Sequence, residues 1–452
     1  MRKFGREVEL TSRQLAVTSA ARWFREPPSR ADGECILFCL PYSGGGASTF
    51  RSWQHLCAPE VKVLPLHLPG REDRITEPLS LSPADLAEAI AARADRPFAI
   101  YGHSLGARLG FEVIRALMRL GGPLPMRFFA AAARPPDVTD TMARCVLLPD
   151  DGFLATLIER LGAPAQLRDI PELRYLLLPV LRADFWWINQ YRYHADVPLP
   201  VPVVALAGAA DPEAGPTEMA GWLRHTSAGF RLHTLGGGHF FLRDAAPQLC
   251  SLLSADLRAA LGDPATTAPT VPPPASDEVH AWLALLDDLP DACTAWAELS
   301  PDQAMRAARL HDDTARRRFV GECAVLRWVL RRYGASERAG RAATVREADR
   351  PDRACHPDRL HVAVSQSGGV MLVGVSGSGE LILHVGTAPH AVLDSAQLGE
   401  PGSTEGGALA WTGPRSSCMR LHLGGAVCSV AAPGTWRLRL ETVTATSVAG
   451  VV

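Results

Sequence analysis

The sequence predicts an α/β fold for its first part, an open parallel sheet with helices on both faces, followed by a smaller α+β domain. Three observations carry this. Short β-rich runs alternate with helical patterns from Ile36 to Leu235, the signature of a sheet wrapped by crossover helices. A proline-rich stretch, GDPATTAPTVPPPASDE from Gly262 to Glu278, then interrupts the pattern as a semi-extended linker. Beyond it, helices are followed by a series of strands. The expected domains are 1–261 and 279–452, joined by 262–278, both of ordinary size.

Composition narrows the classes of function. The 452 residues are 47% hydrophobic and 21% charged, ample for large cores. Forty-six basic against 48 acidic residues leave a net charge of −2, which argues against a dominant nucleic-acid footprint. No apolar run reaches the ~20 residues of a membrane span. The first residues, MRKFGREVELTSRQLAVTSAARWF, are charged throughout and lack the apolar core of a signal peptide. The ten cysteines are scattered without a CxxC pair, and Cys35 and Cys39 lie inside the apolar run ECILFCLP. They read as reduced, buried small side chains, not as a disulfide framework or zinc site. The expected location is the cytoplasm, with no cofactor and no metal.

Each element has its own reason. Ile36–Leu40 and Val61–Leu66 are short β-rich runs. Ser82-Pro83-Ala84-Asp85 opens a helix, with Ser82 as cap, Pro83 at the first helical position and Asp85 reaching back. Phe98–Gly102 is a continuous apolar run ending at glycine, as a buried parallel strand should. Leu109, Val113, Leu117 and Leu120 recur at helical spacing. RFFAAAA, Val201–Gly208 and FRLHTL continue the strands.

Gly102-His103-Ser104-Leu105-Gly106 sits between the Phe98–Gly102 strand and the Leu109–Leu120 helix. A GxSxG pattern there is the nucleophile elbow, a turn too tight for flanking side chains that lifts the serine hydroxyl above the sheet edge. A serine nucleophile needs a base, and the base an orienting acid. In such a fold they follow in the order Ser, Asp or Glu, His. Asp211 follows the Val201–Gly208 strand directly, and His239 lies in GGGHFFL after FRLHTL. Taken singly, Asp211-Pro212 reads as a turn starter and His239 as a loop histidine. Their order and placement after strands favour a Ser104–His239–Asp211 triad, with Glu213 and Asp184 as weaker candidates for the acid. Upstream, LPYSGGGAS (Leu40–Ser48) offers backbone N–H groups to an oxyanion. The expected donors are the N–H groups of Ser43 and Leu105. A phosphate-binding reading of this loop is poor, because GxxxxGK[ST] is not satisfied.

On LFCLPYSGGGAS, YGHSLGA, LRADFWWINQYRY, GAADP and GGGHFFL, the first part resembles a type II (editing) thioesterase of polyketide and nonribosomal peptide assembly lines. Leu105 departs mildly from the family's usual GHSMGA. The resemblance implies an α/β-hydrolase fold with a helical lid over about 147–185. It implies Ser104 as nucleophile, His239 as base and Asp211 as orienting acid. Its substrates are acyl groups on the phosphopantetheine arm of acyl- or peptidyl-carrier proteins. Trp186 and Trp187 either line an acyl pocket or simply pack.

After the linker come VHAWLALLD, a helix start at Leu299–Pro301, and ARRRFVGECAVLRWVLRRYG (Ala315–Gly334), with Phe319, Cys323, Leu326 and Leu330 as one apolar face. The β-rich runs LHVAVS, GVMLVGVS, ELILHVG, GAVCSVAA and WRLRLETV complete an α+β domain. LHVAVSQSGGVMLVGVS, the arginine-rich helix and GAVCSVAAPGTWRLRL resemble a 4′-phosphopantetheinyl transferase. That family holds Mg²⁺ with carboxylates. Here the aligned positions are His384, Gly386 and Arg415, with Pro414 for its lysine and Gln366 for its histidine. Magnesium takes hard oxygen ligands, typically carboxylates, which none of the three metal positions His384, Gly386 and Arg415 supplies; Glu380 is a nearby substitute for one of them. The expectation is a degenerate transferase-like domain. It either retains recognition of the carrier or merely adds bulk. The rival readings of the whole chain are a bifunctional loader and editor, a carrier-binding scaffold, and a general esterase.

Overall fold

The computed structural model describes residues 22–26, 33–262, 273–275, 277–289, 299–333, 354–355, 361–376, 381–387, 416–423, 426–433 and 437–443. The chain divides into two compact units, Met1–Phe230 with Thr234–Asp263, and Arg231–His233 with Pro264–Val452.

Six strands follow in chain order up to residue 235: β1 (Cys35–Leu40), β2 (Val61–Pro65), β3 (Phe98–His103), β4 (Arg127–Ala131) and β5 (Val203–Gly208), all in the first unit, and β6 (Phe230–Leu235), of which Phe230, Thr234 and Leu235 belong to it. Their spatial order is β2-β1-β3-β4-β5-β6, and the pairs from β2 through β5 are parallel. Every residue of β1, β3 and β5 is buried. That is why these strands read as unbroken apolar runs: helices cover both faces of a parallel sheet.

Helix α1 (Pro83–Arg93) starts where Ser82 Oγ accepts the Asp85 N–H at 3.2 Å, so the backbone of Asp85 completes the cap. Helix α2 (Leu105–Leu120) buries Leu109, Val113 and Leu117. Leu120, expected on the same face, is instead 56% exposed, at the last position of the helix before left-handed Gly121.

Between β4 and β5 lies a helical insertion with its own core. It comprises a 3₁₀ turn at Met142–Leu147, α3 (Asp150–Leu161), a short turn at Gln166–Asp169 and α4 (Pro171–Gln190). Phe153, Leu154, Leu157, Leu167, Leu181 and Phe185 pack together inside it. The range 147–185 expected for a lid falls within this insertion, whose core also takes in Met142, Cys145 and Val146 of the 3₁₀ turn. Helix α5 (Ala246–Leu261) closes the unit, burying Leu249, Cys250, Leu253 and Leu257.

The second unit holds β7 (Glu278–Leu285), α6 (Pro301–Ala308), α7 (Asp313–Arg332), β8 (Ala354–Cys355), β9 (His361–Ser367), β10 (Val370–Ser376), β11 (Ile382–Thr387), β12 (Ser416–Leu423), β13 (Ala426–Pro433) and β14 (Arg437–Val443). Its strands run in the orders β14-β7-β10-β9-β8 and β11-β13-β12. Ser300 and Gln303 form a reciprocal capping box at the start of α6. On α7, Cys323, Leu326 and Leu330 are buried as expected. Phe319 is only half-buried and lies under Arg306, 5.2 Å from its guanidinium. Strand β12 and the two-residue β8 are strands that sequence patterning missed. SSCMRLHL has no β-branched residue, and it pairs along its whole length with β13, which decides its conformation. His384 and Gly386 lie in β11, and Gln366 in β9. Glu380 and Trp411–Arg415 fall outside the described residues.

Candidate active site

Strand β3 ends at His103, α2 begins at Leu105, and Ser104 between them is bent to φ +55°. The left-handed backbone is costly for a residue with a Cβ and persists only where the surroundings force it. Here they do. A methyl on Gly102 would lie 2.2 Å from the Gly106 carbonyl oxygen, and one on Gly106 would lie 2.2 Å from that of Leu40. Both flanking glycines are therefore required by backbone contact. The turn projects Ser104 from the strand end, and the Leu105 N–H, first in α2, has no partner within the helix.

Three side chains converge. His239 Nε2 lies 3.1 Å from Ser104 Oγ, and its Nδ1 lies 2.8 Å from Asp211 Oδ2. The carboxylate oxygen only accepts, so Nδ1 carries the proton and Nε2 presents its lone pair to the serine hydroxyl. Asp211 Oδ1 accepts the N–H groups of Glu213 and Ala214, at 2.9 and 3.1 Å. Burial by itself would raise the Asp211 carboxyl. Its bond to His239, the charge of that ring and the two backbone N–H groups outweigh burial and hold it below the usual carboxylate range.

The other two acid candidates are engaged elsewhere. Glu213 pairs with Arg160 of α3 and stands 3.7 Å from Arg134. Asp184 of α4 takes a bidentate bond from Arg71. Neither meets His239: Asp184 answers the buried Arg71 guanidinium, and Glu213 is held by Arg160 and by the half-buried Arg134.

Ser104 and His239 open into a cavity of about 160 Å³ walled by α3 and α4, with Leu157, Leu177, Leu181 and Phe185 among its lining. Ser43 borders it, and its Oγ is buried without a hydrogen-bond partner. Leu105 borders an adjoining recess that also contains Ser104 and His239. The two residues expected to donate to an oxyanion thus each border a recess that contains Ser104 and His239. Trp186 is 50% exposed and Trp187 stacks on Tyr191 with ring centroids 5.7 Å apart. Neither lines the cavity, since the helical phase of α4 gives that face to Leu177, Leu181 and Phe185. Among the described residues, one group has metal-ligand atoms within 4.8 Å of one another: His67, Glu72 and Asp73. It is apart from this cavity. Asp73 pairs with Arg25 and His67, and Glu72 accepts the Ser48 N–H.

The thioesterase domain family matches residues 35–257. A Brevibacillus parabrevis protein described as linear gramicidin dehydrogenase LgrE is 38% identical over 255 residues, 55% of this chain and 97% of its own length. This chain belongs to the thioesterase family. It is accordingly a serine hydrolase, with the family's α/β-hydrolase fold over its N-terminal half. Thioesterase PikA5 of Streptomyces venezuelae is 36% identical over 274 residues, covering 59% of this chain and 95% of PikA5. The solved structure of the RedJ thioesterase from the prodiginine pathway of Streptomyces coelicolor is 34% identical, with a TM-score of 0.47, covering 51% of this chain and 94% of that one.

Two features of this thioesterase escaped sequence reasoning. His103 Nε2 lies 2.8 Å from the His239 carbonyl oxygen, and Tyr101 Oη lies 2.9 Å from its Nδ1. The carbonyl only accepts, so Nε2 donates and Nδ1 accepts the tyrosine hydroxyl. Burial, helped by the His239 ring, pushes His103 down to about 3. Arg71 is the second. Its guanidinium is buried and joins Asp184 to the Gly45 carbonyl. GRE in a loop carried no signal that its arginine turns inward.

Proposed function

We propose that this enzyme hydrolyses acyl groups from the phosphopantetheine arm of carrier proteins in polyketide or nonribosomal peptide biosynthesis, as an editing or release thioesterase. The supporting observation is the hydrogen-bonded Ser104–His239–Asp211 relay at the mouth of an apolar cavity. Relatives named for gramicidin S biosynthesis and as a probable cadicidin biosynthesis thioesterase support the pathway class.

In this reading Ser104 Oγ attacks the thioester carbonyl while His239 Nε2 takes its proton. The carbonyl oxygen becomes an oxyanion held by the N–H groups of Ser43 and Leu105. The carbon–sulfur bond breaks, His239 returns the proton to the sulfur, and the pantetheine thiol departs. Water then attacks the Ser104 ester, His239 takes its proton, and the ester bond breaks to release a carboxylic acid and free serine. Asp211 holds the imidazole in the required tautomer and stabilises its cation. The apolar lining accepts the acyl chain. The site is set in the cytoplasm, in keeping with free cysteines buried in apolar surroundings, and the domains are taken as 1–261 and 279–452.

For 279–452 we propose a degenerate phosphopantetheinyl transferase-like domain that binds carrier without loading it. By the alignment that the resemblance implies, His384 and Gly386 take the positions of metal-binding carboxylates, and neither side chain offers Mg²⁺ a hard oxygen.

Intact-mass measurement tests both parts. Acetyl-holo carrier should lose its acetyl group with the wild-type enzyme and keep it with Ser104→Ala. Hydrolysis at the wild-type rate by Ser104→Ala rejects the nucleophile. Apo carrier given acetyl-coenzyme A and Mg²⁺ should stay apo; gain of the arm rejects the degenerate-domain reading.

A further inference from the structure

Asp184 belongs to α4 yet spends its carboxylate on loops of the hydrolase core. Oδ2 accepts the Gly44 N–H at 2.8 Å and Arg71 Nη1 at 3.0 Å, and Oδ1 accepts Arg71 Nη2 at 2.9 Å. Arg71 Nη1 also donates to the Gly45 carbonyl at 2.9 Å. Both charged side chains are buried, Asp184 at 1% exposure and Arg71 at 4%. The helix touches the same loop a second time, one turn earlier. Gly44 has φ +79°, and a methyl there would lie 2.6 Å from Leu181 Cδ2. Gly44 directly follows Ser43, and the Gly45 N–H closes the turn onto the Tyr42 carbonyl at 2.8 Å.

We infer that Asp184 is a positioning residue: it fixes the glycine-rich loop so that the Ser43 N–H faces the cavity, and thereby couples that donor to the seating of the lid helix. The inference rests on the hydrolase reading above. The lid helix then does two things. It supplies the acyl wall through Leu177, Leu181 and Phe185, and it completes the oxyanion site through Asp184. An α4 that is displaced leaves Gly44 without its acceptor and Ser43 without its orientation.

A plain stability bridge is the competing explanation, and single variants do not separate the two. Removing Asp184 alone strands the buried Arg71 charge, which is strongly destabilising in its own right. Two charge-neutral double variants avoid this. Arg71→Met with Asp184→Asn retains an amide oxygen for the Gly44 N–H. Arg71→Met with Asp184→Leu does not. Turnover of an acyl-carrier thioester is measured for both, with Tm by circular dichroism and Ser104→Ala in parallel.

The Leu pair should lose about 10- to 100-fold in kcat with KM within about twofold, since a single oxyanion donor is worth at least that much. The Asn pair should recover most of kcat. Wild-type kcat in both pairs, equal losses in both, or a change confined to KM each overturns the inference. A Ser104→Ala enzyme that still hydrolyses at the wild-type rate rejects Ser104 as the nucleophile instead, so the two failures are distinct.

Discussion

His103 donates its Nε2 proton to the backbone carbonyl of His239, at 2.8 Å. The residue beside the proposed nucleophile therefore holds the backbone of the proposed base. Strand β3 and the loop after β6 are locked together one layer beneath the relay, and Tyr101 anchors the far side of the ring. Because burial keeps His103 near 3, this brace stays neutral between pH 5 and 9.

Replacing His103 by Ala should lower kcat by about 10- to 100-fold through misplacement of His239. The shape of the pH–rate profile between pH 5 and 9 should not change, since His103 does not titrate there. A lost or shifted inflection in the variant would show instead that the ring exchanges protons during turnover.

Asp211 and Glu213 are two residues apart, and only one is bonded to His239. Asp211→Asn preserves size and the acceptor for the Glu213 and Ala214 N–H groups but inverts the imidazole tautomer. A loss approaching 10⁴-fold in kcat is expected. Glu213→Gln should keep kcat within about threefold, because its partners are Arg160 and Arg134; side-by-side steady-state assays decide which carboxylate serves the base.

Gly106→Ala should abolish the fold of the elbow. The added methyl meets the Leu40 carbonyl, which is backbone inside the sheet and cannot yield. A penalty of at least about 3 kcal/mol is expected, read as a fall in Tm or loss of folded protein. A folded Gly106→Ala enzyme with unchanged Tm would contradict the close approach of α2 to β1.

Glu322 makes the second unit sensitive to alkali. Burial raises its carboxyl to about 7 from 4.5, against a weaker opposing bond from Gln366. Between those values the folded chain holds a proton that the unfolded chain has released, so stability falls as pH rises through the window. The cost is on the order of 3 kcal/mol by pH 8. Glu322→Gln should match wild type near pH 4.5 and exceed it in Tm at pH 8. Parallel Tm curves for the two proteins across that range would refute the assignment.

Much of the first unit could be read from the chain because its signals are local. An apolar run such as Phe98–Gly102 is buried on both faces, so no partner need be known to recognise it. Ser82-Pro83 starts a helix through its own cap. Failures arose where a distant neighbour decided the outcome. Strand β12 takes its conformation from β13. Leu120 has the right spacing but stands exposed at the last position of its helix. Trp186 has the composition of a pocket wall, but the phase of α4 turns it to solvent.

The same division applies to the site. By itself the sequence determined that Ser104 stands on a strained turn between two glycines, because the clashes that forbid side chains there come from the adjoining strand and helix. It also determined that an acid and a histidine follow in order after later strands. Only the tertiary structure decided which carboxylate meets His239. The sequence favoured Asp211 by its place directly after a strand, but it could not show what occupies the weaker candidates Asp184 and Glu213. Arg71 claims Asp184 from 113 residues away, and Arg160 claims Glu213 across 53. Asp211 is left facing the histidine. Pairings at such separations depend on how helices seat on the sheet, which no local pattern of residues encodes.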